Sequence, residues 1–228
     1  MDSGNIGFVL LCSAFVFVMT PGLAMFYGGL VRKKNVVNTM MTSIFIIGVG
    51  IVMWVLFGYS LSFAPSGNAF IGDFRWLGLE GVSLTEGYTD DASIPNMVFS
   101  AFQMMFAVIT PALITGAVAG RMKFKSIFIF TIFWSLIVYY PLAHMVWGQG
   151  GLLGADGIGA LDFAGGDVVH ISSGVSALVL CILLGKRHDY EHSIYRIHNI
   201  PTVVLGASLL MFGWFGFNAG SALAAGGL

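Results

Sequence analysis

Six stretches of the chain stay apolar for about the thickness of a bilayer core. They run over residues 6–31, 39–63, 95–119, 126–147, 167–184 and 201–223. A spanning helix needs about 20 predominantly apolar residues, so each stretch predicts one membrane helix. The polar positions between them alternate in character. Arg32, Lys33 and Lys34 follow the first span; Arg121, Lys123 and Lys125 follow the third; Lys186, Arg187 and Arg196 follow the fifth. Nine of the ten Lys and Arg residues thus fall in alternate loops, and the tenth, Arg75, follows the second span. The positive-inside rule makes the three basic loops cytoplasmic. It puts the N-terminus and Leu228 outside. The expected fold is all-α: a polytopic helical protein of the cell membrane, one transmembrane domain over 1–228.

Composition agrees and narrows the function. Of 228 residues, 57% are hydrophobic and 9% charged, with mean hydropathy +0.88. A soluble domain carries about 25% charged residues. The net charge of -1 gives no pull toward nucleic acid. The 31 glycines suit membrane helices packed closely on small residues. Cys12 and Cys181 lie in spans toward opposite faces, so free thiols are expected. Residues 1–7 hold no basic region, so the first span reads as a retained helix and not a cleaved signal.

Polar groups inside or beside the spans carry the candidate chemistry. Thr20-Pro21-Gly22 is expected to interrupt the first helix, with neighbours satisfying the freed carbonyl. Gln103 is an uncharged polar group expected to bond a neighbouring helix. Phe102 and Phe106 share a helix face, as do Phe217 and Ser221. Trp147 and Ser221 close the fourth and sixth spans near the outer surface, where tryptophan is ordinarily an anchor. The loop over 64–94 carries Asp73, Glu80, Glu86, Asp90 and Asp91. A solvated loop is the favoured reading, beside a role in concentrating cations at a mouth.

Asp162 precedes a helix that begins near 165–167. Its carboxylate can cap backbone N–H groups, and its charge can also steady a nearby cation. Asp167 reads as a first-turn acid. His170 sits among Val168, Val169 and Ile171, and an ionisable group at membrane depth usually faces a cavity or pathway. His188 and His192 have the spacing of a metal pair, but the sequence around them is no zinc signature and a solvated loop is favoured. No metal or cofactor is expected.

These residues resemble a known family. L-D-F-A-G-G-D-V-V-H at 161–170, A-H-M-V-W-G at 143–148, G-W-F-G-F-N-A-G-S at 213–221, F-Q-M-M-F at 102–106 and M-T-P-G-L-A-M-F-Y-G-G-L at 19–30 are similar to segments of the ammonium transporters, the Amt/Mep/Rh proteins. The resemblance implies that Trp147, Phe106 and Ser221 recruit ammonium outside, with Asp162 supporting the cation. It implies that Phe106 and Phe217 form a stacked gate, and that His170 is the first of two pore histidines that relay protons. It implies homotrimers with one pore per subunit, and control by a cytoplasmic PII-type protein. The family has eleven spans in two inverted repeats, which place a site at their interface. This chain holds six spans, so a fragment is expected, with a completing second chain or a self-sufficient half as alternatives.

The physics suits ammonium. An aromatic face attracts a cation by about 0.5–2 kcal/mol, and a hydroxyl can accept one of its N–H groups. A bare charge in hydrocarbon costs at least several kcal/mol, so leaving the proton behind and passing ammonia is cheaper. Histidine can relay that proton. A membrane sensor of ammonium is the competing reading. An aquaporin-like channel lacks its Asn-Pro-Ala triplet here, and no nucleophile–base set lies in the spans for an enzyme.

Overall fold

The computed structural model describes residues 1–65, 67–155, 157–187, 190–191 and 194–226. Among these every regular element is helical, and six helices are long and apolar enough to cross a membrane. They are α1 (Ser3–Leu30), α2 (Lys33–Phe63), α3 (Asn96–Val118), α4 (Phe124–Trp147), α5 (Gly166–Leu184) and α6 (Ile200–Gly220). α2 and α4 each contain one wide π turn, Trp54–Gly58 and Ser135–Tyr139. α5 opens on another, Gly166–Ile171.

The expected break in α1 does not occur. Helix continues through Pro21 from Ser3 to Leu30. A proline removes one backbone bond, and the packing of α1 along α6 on both sides of it holds the axis. That seam is made by missing side chains. A Cβ on Gly206 would stand 2.3 Å from the Phe26 nitrogen, and one on Gly213 would stand 2.6 Å from the Phe15 carbonyl. Gly22 and Gly29 make the same close approach from α1. Such contacts replace the hydrophobic drive that lipid does not supply. Gly206→Leu is therefore expected to destabilise the protein by at least about 3 kcal/mol, since overpacking alone costs about 1–3 and here backbone blocks relief. A thermal melt in detergent at the parental midpoint would contradict it.

α3 is the centre of the molecule, with 67% of its apolar window buried. α5 and α6 have only 22% buried. Ile171, Val175, Leu178 and Ile182 leave α5 with an exposed apolar face.

Hydrogen bonds tie the ends of the helices into two rims. At one, Asp2 N donates to Ser93 O (2.8 Å), Asn5 Nδ2 donates to Ser93 Oγ (2.9 Å), and Ala225 N donates to Asn5 Oδ1 (2.8 Å). The chain start, the acidic loop and the segment past α6 therefore meet there. At the other, Arg121 donates to Gly185 O (2.8 Å), Arg187 to Ala119 O (3.2 Å), and His198 N to Val31 O (3.1 Å). That rim carries the three basic loops. Cys12 and Cys181 are free thiols.

Candidate functional site: a vestibule at the acidic rim

The loop between α4 and α5 is built around one carboxylate. Asp162 Oδ1 accepts from Gly165 N (2.5 Å) and Gly166 N (2.9 Å), and Oδ2 accepts from Asp167 N (2.8 Å) and Val168 N (2.9 Å). The first turn of a helix has N–H groups without partners; here four of them converge on one side chain. The approach requires a left-handed residue, and Gly165 supplies it at φ 88°. The Asp162 carbonyl faces the other way and accepts from Trp147 Nε1 at 3.0 Å. One residue thus both starts α5 and orients the indole that ends α4.

Phe106 comes from the middle of α3 and meets that indole edge to face, centroids 5.9 Å apart at 78°. Phe106 also touches Phe217 of α6, centroids 4.4 Å apart. The two planes lie at 52°, so the pair expected to be stacked is tilted, which sets a ring edge toward a ring face. Both rings are fully buried. Ser221 Oγ donates to Phe217 O (2.8 Å). Its one proton is committed to its own helix, so it can meet a ligand only as an acceptor.

Phe106, Trp147, Asp162 and Ser221 line a single cavity of about 440 Å³ at the acidic rim. Trp147 is half-buried on its wall, so it serves as a cavity wall and not as a simple interfacial anchor. Phe217 packs behind Phe106 and does not itself line the cavity. His170 follows it: its ring stacks on Phe217 (5.8 Å, 23°) and on Trp214 (5.4 Å, 25°). His170 is nonetheless an exposed residue.

Three further residues shape the surroundings of the site, and two of them, Trp214 and Tyr88, had no assigned role in the sequence. Gln103 makes no bond to a neighbouring helix among the described residues; the residue lines the cavity, and its buried Oε1 has no partner. Trp214 stands three residues before Phe217, on one helical face, and that spacing was the available signal. Tyr88 comes from a distant loop and carries no local signal. It stacks on Phe99 (4.7 Å, 4°), its hydroxyl accepts from Gln149 N (3.1 Å), and burial pushes that phenol up to about 12. His144 is also fully buried, its two ring nitrogens 3.1 and 2.8 Å from the carbonyls of Ser62 and Asn68. It ties the end of α4 to the loop after α2. His188 and His192 lie outside the described residues, and no cluster of metal-ligating side chains occurs among the described ones.

Among the described residues the architecture is that of a six-helix membrane protein with a cavity above a buried aromatic pair. Its kinship is specific: residues 7–228 match the Ammonium Transporter Family, and the chain belongs to that family. It is 52% identical over 223 residues to the ammonium transporter of Bacillus subtilis, covering 98% of this chain and 54% of the relative. The crystal structure of Candida albicans Mep2 matches with TM-score 0.86 at 34% identity, over 99% of this chain and 50% of that one. A sensor Amt protein matches with TM-score 0.83 at 29% identity, over 98% and 56%. The chain spans about half the length of these relatives.

Proposed function

We propose that the protein takes part in moving ammonium nitrogen across a membrane, with this cavity as the recruitment site. The observation that carries the reading is one cavity wall holding two aromatics, a hydroxyl limited to accepting, and a capped carboxylate. Ammonium meets the faces of Trp147 and Phe106 and donates one N–H to Ser221. Asp162 adds negative charge without direct contact, since its oxygens already accept four N–H bonds. Beyond the Phe106–Phe217 pair the ion gives its proton to the His170 imidazole, which relays it, and ammonia continues along the pore. The acidic rim faces outside, by the placement of the basic loops. Assembly as a homotrimer and control by a PII-type protein at the basic rim belong to the same reading.

The test is ammonium-gradient uptake in a transport-competent assembly containing this chain. Ser221→Ala is expected to raise half-saturation about tenfold with little change in maximal rate, because a hydrogen bond to a charged group contributes about 1.5–3 kcal/mol. Parental half-saturation would remove Ser221 from the site. A sensor is the second reading, favoured by the likeness to the sensor Amt protein. Saturable ammonium binding without flux from such an assembly would establish it.

A further inference from the structure

The cavity wall holds two carboxylates, Asp162 and Asp91. They differ in what they are free to do. Asp162 is spent on four backbone N–H groups. Among the described residues, the Asp91 side chain makes no hydrogen bond or ion pair, and no Lys, Arg or His lines the cavity. The other acids of the loop stand apart from this wall. Asp73 pairs with Arg75 at 2.7 Å, and that guanidinium holds its carboxyl below the ordinary carboxylate range. Glu80, Glu86 and Asp90 do not line the cavity.

Asp91 is also held in place. Tyr88, three residues before it, is fixed by Phe99 and Gln149. Ser93, two residues after it, is fixed by Asp2 and Asn5. A turn closed by Ala92 N on Thr89 O (3.1 Å) spans the position itself. Across the same cavity, Gln103 Oε1 lacks a partner. The wall thus carries two carboxylates, only one of them free, and contains no cationic side chain.

We propose that Asp91 is the electrostatic collector of this vestibule, raising the local concentration of ammonium or a small primary-amine cation before the ion reaches Trp147 and Ser221. The inference rests on the reading of the cavity as the ammonium site. A unit charge some 8 Å from the ion in a water-like medium changes occupancy about two- to fourfold. Its reach is about 30 Å at 0.01 M salt and about 3 Å at 1 M. The effect is therefore on capture and vanishes with salt.

The experiment is binding of radiolabelled methylammonium to the purified chain in nanodiscs, at about 0.01 M and about 1 M salt. Asp91→Asn is expected to bind about two- to fourfold more weakly at low salt and equally at high salt. Asp91→Glu, which keeps the charge, is expected to match the parent. Equal binding by Asp91→Asn and parent at low salt overturns the proposal. So does a loss that persists at high salt, which would mark a structural role. Trp147→Ala separates the two claims. If it abolishes binding while Asp91→Asn changes nothing, the site stands and the collector falls. If Trp147→Ala binds as the parent does, or the parent shows no saturable binding, the site reading itself fails and the collector with it.

Discussion

Asp162→Asn is expected to abolish the outer site, although the two side chains have the same shape. Each carboxylate oxygen accepts two backbone N–H groups. An amide keeps one acceptor oxygen and turns an NH2 group toward two N–H donors. Two charge-assisted bonds are lost, each contributing about 1.5–3 kcal/mol, and two N–H donors are left facing another donor. The turn at 165–168 should open at least about a hundredfold more often, which amide hydrogen exchange reads directly. Trp147 is held by the same loop through the Asp162 carbonyl, so the indole should loosen with it and ammonium uptake should fall to background. A purely electrostatic Asp162 would behave otherwise: the variant would lose uptake while amide protection at 165–168 stayed parental. That outcome would sink the architectural role given to this residue.

Much of this arrangement was legible in the sequence, for a physical reason. In a bilayer every backbone group must be satisfied within its own segment, so apolar length alone placed all six helices. Loop charge ordered them, and the two rims carry the residues expected of them. Asp162 was readable as a cap because a cap acts within a few residues of its own position. The misreadings share a different cause. Pro21 was expected to break α1, yet what decides its effect is the glycine seam with α6, some 185–200 residues away. Gln103 was expected to bond a helix, yet which side of α3 faces a cavity depends on how four other segments converge. The same holds for Asp91. Its loop gave a pattern of acids, and only the fold shows which one of five stands on the vestibule wall.

These 228 residues alone are expected not to conduct ammonia selectively. His170 packs on Trp214 and Phe217 from one side and is exposed on a face of α5 that no described segment covers. The neighbouring Val175, Leu178 and Ile182 are 55%, 60% and 70% exposed, far more than the residues of α3 at the centre. A pore for ammonia must exclude lipid and water along its length and must give the departing proton a second acceptor. One wall with one imidazole supplies neither. In a bilayer the exposed face would pack on acyl chains or another copy, and a polar ring without a partner there is costly. The relatives that this chain matches are about twice as long, which leaves ample chain for an opposite wall. Reconstitution into liposomes with an imposed ammonium gradient tests this. The chain alone should show no ammonium-specific flux. Co-expression with the complementary half of a full-length relative should restore it, and His170→Ala should change the rate of that complex. Ammonium-specific flux from the chain alone that disappears in His170→Ala would refute the expectation and mean that two copies of this face build a pore between them.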